Sequence, residues 1–430
     1  MRSWYTNLNR EERNTFWACY GGWALNALDV QLYTFLIPTL SALWNMSKGN
    51  AGIIASGTLI TSALGGWLTG ALADRYGRVL MLQIAIVWYS VFTALGGFTN
   101  SFEELLVTRS LQGFGFGGEW TAGAVLMGEI VWAEYRGRAV GTLQSGWAVG
   151  WAIAALLSTF ALTSLPAEAG WRAPFFLGTT PALMLLFIRR HVREPKIFLS
   201  TMESRKYGRS GMQALEIFSP KLLRTTILGS MLSTGALGGY YAIMTWLPTY
   251  LQLERGLTIF SSGVYLGVVI VGAFVGYIVS AYLVDAIGRR RNFLLFAIGC
   301  LAIVASYSQL PMRNTTMLAL GFPLGFFANG VFSGLGPFLT ELFPTSTRGS
   351  GQGFCYNFGR AGAAFFPALV GLLASSMTLG HAIGVFSLSA YGLLVLSAYC
   401  LPETKGKELN ETENYLLVGQ ENSTHSPEQA

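Results

Sequence analysis

Charge is what this sequence has least of. Only 12% of its 430 residues are Asp, Glu, Lys or Arg, against 52% apolar, and its mean hydropathy is +0.45. A soluble globule of this size needs more polar surface than that, so the chain belongs in lipid. Cysteine is scarce too: Cys19, Cys300, Cys355 and Cys400 lie in apolar stretches with no pair at metal-ligand spacing. That excludes a zinc site and a disulfide framework, and leaves them as small apolar fillers. The first residues include Arg2, Arg10, Glu11, Glu12 and Arg13, and no small-residue cleavage site follows a short apolar run. A cleavable leader is therefore not expected. Nor is there a metal cluster, a nucleophile with its base, or a glycine loop after a strand, so neither enzyme chemistry nor a cofactor is expected.

Long apolar runs are what the sequence does hold. A helix crossing ~30 Å of hydrocarbon needs ~20 residues. Runs of that kind fall near residues 15-42, 51-73, 79-98, 104-130, 139-163, 172-189, 225-251, 259-283, 292-311, 315-340, 352-375 and 381-401. The expected fold is all-α and integral to the membrane, with twelve transmembrane helices. With the N-terminus in the cytoplasm, only Lys48, Arg172, Arg255 and Arg313 among the basic residues fall in loops on the far side. This asymmetry orients both termini to the cytoplasm. It also accounts for the net charge of +6 without any nucleic-acid partner.

Two phrases occur twice. Asp74-Arg75-Tyr76-Gly77-Arg78 returns as Asp285-Ala286-Ile287-Gly288-Arg289, and Glu129 with Arg136-Gly137 returns as Glu341 with Arg348-Gly349. Both intervals are about half the chain and agree to within one residue. A duplicated bundle follows: an N-terminal half over 1-188, a basic cytoplasmic linker over 189-224, a C-terminal half over 225-409 and a polar, disordered tail over 410-430. In each repeat the aspartate can accept from the N-terminus of a neighbouring helix, the glycine permits a tight turn, and the arginine reaches a partner carboxylate. Asp74, Arg78, Glu129, Arg136, Asp285, Arg289, Glu341 and Arg348 are thus expected to form a cytoplasmic gate.

Ionisable residues well inside a span are functional candidates, because an unpaired charge there is expensive. Four qualify: Asp29, Arg109, Glu119 and Arg360. None has a charged twin at the repeat interval, where Gly239, Gly321, Val331 and Ala148 stand instead. Gly22, Asn26, Asp29 and Tyr33 make one polar stripe at helical spacing, expected to face a central cavity. Glu119 is a candidate proton carrier. Arg360 shares a face with Tyr356 and Asn357, a set suited to an organic carboxylate held bidentately. Gln144, Tyr240, Tyr241 and Asn329, together with Trp23, Trp147 and Trp151, are candidates to line the site. A purely structural pairing of each charge is the plainer alternative.

On these residues the chain resembles the major facilitator superfamily of secondary transporters. Gly70 to Arg78 resembles the loop signature between the second and third helices, and Arg109-Ser110-Leu111-Gln112-Gly113 the fourth-helix signature. Pro402-Glu403-Thr404-Lys405-Gly406 resembles the sugar-porter ending, with Arg193-Glu194-Pro195 a weaker counterpart after the sixth span. Arg109 to Trp120, Gly170-Trp171-Arg172 and Trp246 to Leu251 are similar to proton symporters for sialic acids, monocarboxylates and aromatic acids. Val79 departs from the first loop signature. The fifth span lacks the Gly-Pro antiporter motif, and Asn26 with Asp29 stands where those families carry two aspartates. The resemblance implies the two-halved major facilitator fold, an Asp29–Arg109 pair broken by protonation, and import of a small organic anion with protons by alternating access. It also implies an inner-membrane carrier, surrounded by lipid, that works as a monomer. A neutral sugar or polyol symporter and a transporter-like sensor are the alternatives.

Overall fold

A computed structural model describes residues 4–130, 136–194, 213–309, 313–344 and 347–405. Its helices order into twelve spans. Span one is Arg10–Leu43, span two Lys48–Tyr76, span three Arg78–Gly96 and span four Phe102–Ile130. Span five is Arg136–Gln144 continued by Gly146–Ser164, and span six runs from Ala167–Leu177 through Thr180–Leu183 to Met184–His191. Span seven is Leu223–Met244 continued by Leu247–Leu253, span eight Ile259–Ile287, span nine Arg289–Gln309 and span ten Asn314–Leu342. Span eleven is Arg348–Ala363 continued by Phe365–Leu373, and span twelve is Leu379–Cys400. The linker residues 195–212 and the tail fall outside the described residues.

Local chemistry starts these helices where the chain turns. Span one opens on a capping box: Asn9 accepts from the Glu12 N–H at 2.9 Å, and Glu12 accepts from the Asn9 N–H at 2.8 Å. Ser47, Thr258 and Thr378 cap spans two, eight and twelve with their hydroxyls. Among the described residues, seven helices are long and apolar enough by composition to cross a membrane. Spans one, four, six, seven and eleven fall short. Spans six, seven and eleven are broken, while spans one, four and eleven carry the interior charges.

Glycine sets how closely the spans pack. A Cβ on Gly117 would lie 1.7 Å from the Ser62 carbonyl oxygen, pressing span four onto span two. A Cβ on Gly325 would lie 1.8 Å from the Val269 carbonyl, pressing span ten onto span eight in the other half. Only a residue without a side chain permits such backbone contact.

The halves touch on both sides of the bundle centre. Away from the basic face, a Cβ on Gly52 would meet the Pro367 carbonyl at 2.5 Å, and Ser56 accepts from the Ala368 N–H at 3.1 Å. Towards the basic face, Gly141 packs on Ala281, and Arg138 lies 3.8 Å from Asp285.

The duplicated loops turn as the repeated glycines require. Gly77 and Gly288 turn the chain at φ +114° and +99°, as the tight-turn reading requires. Arg289 meets Glu341 through two bonds of 3.0 and 2.8 Å, and Thr404 donates to the same carboxylate at 2.5 Å. Among the described residues, Asp285 faces Arg289 at 3.3 Å and Arg138 across the halves. Glu403 accepts from the Arg289 and Arg290 N–H groups at 2.9 and 3.1 Å, and Glu194 accepts from those of Arg78 and Val79 at 2.9 and 2.8 Å. The two carboxylates are pseudo-symmetric caps on spans nine and three, where the helix dipole favours negative charge. Arg78 is buried and also donates to the Ala73 carbonyl at 3.0 Å. The side chains of Asp74, Glu129, Arg136 and Arg348 lie outside the described set.

Partial burial pushes the Glu403 carboxyl up, but the N–H groups of Arg289, Lys405, Arg290 and Thr404 outweigh that and hold it below the ordinary glutamate value. A depressed folded-state value contributes stability at neutral pH, and that stability is lost as pH falls through it. We expect Glu403→Gln to lower the melting temperature of purified protein at pH 7, with the gap to wild type narrowing at acid pH. A gap that stayed constant on acidification would show that the cap contributes nothing through its charge.

Candidate functional site

Three of the four interior charges gather inside the N-terminal half. Asp29 on span one is fully buried, accepts from the Thr93 hydroxyl of span three at 2.6 Å and from the Gln112 amide of span four, and faces Arg109 Nη1 at 3.5 Å. Arg109 also reaches the carbonyls of Asp29 and Val30 at 3.4 Å and lies over the Tyr33 ring at 5.6 Å. The ion pair is therefore looser than the neutral hydrogen bonds around it. Glu119, one helix turn and more toward the basic face, accepts from Asn26 at 2.7 Å, and Asn26 also donates to the Phe116 carbonyl. Gly22 makes room for it, since a Cβ there would stand 2.7 Å from Glu119 Oε1.

Arg360 is the exception. It is 1% exposed, yet Nε and Nη1 have no hydrogen-bond partner among the described residues. Its guanidinium lies 4.9 Å from the Phe116 ring centre and 5.0 Å from that of Tyr356, so it is held by aromatic faces from both halves. It is near enough to Glu119 to act on that carboxylate's charge, without an ion-pair contact. Burying a guanidinium this way is costly unless something else supplies an acceptor.

Beside Arg360, between the halves, is a small cavity lined by Trp23, Gln144, Trp147, Tyr240, Tyr241, Tyr277, Phe332 and Tyr356, with Leu237. Trp23 stacks among Trp120 and Trp147 at 4.3 and 4.8 Å. Its indole Nε1 has no partner. Tyr240 accepts from Trp147 Nε1 at 2.6 Å and from Gln31 Nε2 at 3.3 Å, which ties span seven to spans five and one across the halves. Two accepted bonds fill the Tyr240 oxygen and leave its own O–H to donate. Flat aromatic walls and spare donors describe a pocket for a planar acceptor.

Of the residues expected from sequence to line the site, Gln144, Tyr240, Tyr241 and Tyr356 do so. Asn329 stands one layer back, accepting from the cavity-lining Tyr277 at 3.1 Å. Trp151 is fully buried and is not among the lining residues. The polar stripe of span one does not face this cavity. Asn26 and Asp29 find partners on spans three and four, and the Tyr33 hydroxyl donates to the Ala51 carbonyl at 2.8 Å. Charges and amides in lipid turn toward the nearest partner, and here that partner is in their own half. Asn357 does not share the Arg360 face: its amide donates to Gly353, and its oxygen points at span two, 2.6 Å from where a Gly66 Cβ would be. Thr93, Tyr277 and Phe332 are not singled out by the sequence, and Gln112 only as part of the fourth-helix signature. Nothing in local spacing marks a threonine two spans away as a carboxylate ligand.

Two helical halves closed around a buried cavity, with charges on the spans beside it, define a membrane carrier rather than an enzyme. The chain belongs to the Major Facilitator Superfamily, whose family model matches residues 20–317 and 271–416. It is 42% identical over 406 residues to a probable 4-methylmuconolactone transporter of Cupriavidus pinatubonensis, covering 94% of each chain. It is 31% identical to a cis,cis-muconate transport protein of Acinetobacter baylyi, over 88% of this chain and 92% of that one. Among solved structures, a proton:xylose symporter bound to 6-bromo-6-deoxy-D-glucose superposes with a TM-score of 0.73 at 20% identity, over 94% of this chain and 98% of that one.

The tight fit at Gly22 is directly checkable. We expect Gly22→Val to destabilise purified protein by about 1–3 kcal/mol through overpacking, and Glu119→Ala to restore most of that loss in the double variant. Additive losses in thermal unfolding would mean that the two side chains do not meet.

Proposed function

We propose that the protein imports a small, flat organic carboxylate together with protons by alternating access of its two halves. The observation that carries this is Arg360, a buried guanidinium with two unpartnered nitrogens beside a cavity whose other spare groups are donors. A carboxylate supplies the acceptors these groups lack, and the planar fork takes it bidentately. The cavity is small and walled by flat aromatic rings, which favours a single-ring or short unsaturated acid over a nine-carbon sugar acid. The muconolactone and muconate carriers among the relatives are named for compounds of that size and shape.

Asp29 and Glu119 carry protons in this reading, and Arg109 couples Asp29 to helix movement. A substrate carboxylate at Arg360 cancels the cation that faces Glu119, which draws a proton to that acid. Protonation of Asp29 releases Arg109 and changes which helix contacts are favourable. One proton per monovalent anion moves no net charge, and a further proton makes uptake respond to membrane potential. Asp285 with Arg138, and Arg289 with Glu341, act as latches on the basic face, together with Arg78, Asp74, Glu129, Arg136 and Arg348. That face is cytoplasmic, with both termini, and the carrier works as a monomer in an inner membrane. The sugar reading loses its support, since Glu403 of the sugar-porter-like ending serves as a helix cap far from the cavity.

Proteoliposomes offered labelled cis,cis-muconate, benzoate and nicotinate test the reading. We expect acid-driven uptake of at least one, and a loss of about thirtyfold or more in Arg360→Ala, as for truncating one partner of a buried charge pair. Asp29→Asn with Glu119→Gln should abolish acid-driven uptake while sparing exchange of labelled for unlabelled substrate. Acid-driven uptake unaffected by the double substitution would remove the proton role. Preference for neutral hydroxylated ligands surviving Arg360→Ala would replace the carboxylate with a sugar.

A further inference from the structure

Tyr89 on span three belongs to none of the functions above. It is fully buried, and its hydroxyl has no partner among the described residues. It lies within electrostatic reach of both Glu119 and Asp29. Its backbone is pressed onto span four, where a Cβ on Gly115 would come within 2.7 Å of the Tyr89 nitrogen. Thr93, one turn further along the same helix, carries the hydroxyl that binds Asp29, and that hydroxyl also reaches the Tyr89 carbonyl at 2.8 Å. The ring is thus fixed one turn from Asp29, on the side toward Glu119.

Two more buried atoms are unpartnered on the side chains that hold the two acids. Gln112 gives its amide N–H to Asp29 and leaves Oε1 unbonded; Asn26 gives its amide N–H to Glu119 and leaves Oδ1 unbonded. Each amide therefore has one end on an acid and the other end free. Buried polar atoms left without protein partners are where ordered water resides, and a water needs two to four such partners. The Tyr89 phenol oxygen and the two amide oxygens of the residues that hold the carboxylates are candidates for that role. The other ionisable groups here sit at the ends: Arg109 and Tyr33 by Asp29, Cys19 and Arg360 by Glu119.

We propose that Asp29 and Glu119 share one proton path inside the N-terminal half, with the Tyr89 hydroxyl as its middle link and water bridging it to each acid. This rests on the two acids carrying protons, as argued above, and adds the route between them. A proton leaving one carboxyl passes to water, the water passes a proton to the Tyr89 oxygen as the phenol gives up its own on the other side, and the second carboxylate gains one. Tyr89 ends unchanged, one O–H bond broken and one formed. Asp29 lies farther from the basic face and Glu119 nearer to it, so the path runs along the transport direction. Arg360 at its inner end places substrate and proton side by side.

Tyr89→Phe keeps the ring and its packing while removing the oxygen. Infrared spectra of the purified full chain separate the carboxyl bands of Asp29 and Glu119 by their loss in Asp29→Asn and Glu119→Gln. We expect Tyr89→Phe to shift both bands, to slow acid-driven uptake of labelled cis,cis-muconate or benzoate about tenfold, and to leave substrate exchange within twofold of wild type. A shift in neither band or only one overturns the path, as does an equal loss in uptake and exchange, which marks a structural role. If Asp29→Asn and Glu119→Gln leave acid-driven uptake intact, the carrier role falls and the path with it. If they abolish it while Tyr89→Phe behaves as wild type, the path alone falls.

Discussion

An ionised group in hydrocarbon must find a counter-charge or a set of hydrogen bonds, and this requirement arranges the centre of the protein. Asp29 is met by a threonine, a glutamine and an arginine from spans three and four, and Glu119 by an asparagine from span one. Each solution draws helices of the N-terminal half together, so that half is rigid where its charges lie. Arg360 comes from the other half and is met only by ring faces. Of the four interior charges, Arg360 alone has no oxygen acceptor recorded among the described residues, and it stands beside the cavity. In the proposed function, a carboxylate would complete that hydrogen-bond set.

Around this asymmetric centre the scaffold is symmetric. Gly117 on Ser62 and Gly325 on Val269 lock one helix pair in each half, and Gly77 with Glu194 and Gly288 with Glu403 finish one helix start in each half. Backbone contact at the glycine crossings resists deformation within a half. The contacts between halves include a loose Arg138–Asp285 pair, Gly141 against Ala281, backbone approaches of spans two and eleven, Arg360 over Phe116, and the Tyr240 hydroxyl held by Trp147 and Gln31. Rigid halves with a modest seam are what a rocking motion requires.

Much of this was legible in the chain. Apolar run length marked the spans, the repeated phrases marked the turn glycines and the Arg289–Glu341 contact, and the broken symmetry marked the four interior charges. Helical spacing identified faces correctly but not what each face meets. Tyr33 and Asn357 lie on polar faces, yet the Tyr33 hydroxyl donates to Ala51 and the Asn357 amide to Gly353 on its own helix, so neither lines the cavity. Thr93 and Tyr89 carry no sequence signal, since a hydroxyl in an apolar helix looks the same whether it bonds its own backbone or a carboxylate elsewhere. The caps were hidden for another reason. Glu403 is 114 residues from the N–H it accepts, so no local window holds both partners.

That separation has a consequence for how the molecule is made. A chain emerging from the ribosome reaches Glu194 before any of the C-terminal half exists, and span three can be capped at once. Span nine must wait until almost all the described chain has been synthesised before Glu403 arrives. The first half can mature during translation, whereas the second stays unsealed until its last helix has entered the bilayer and its end has folded back. Completion of the cap is thus a late check on assembly, and a tag or truncation that reaches Glu403 would act on biogenesis before it touched transport.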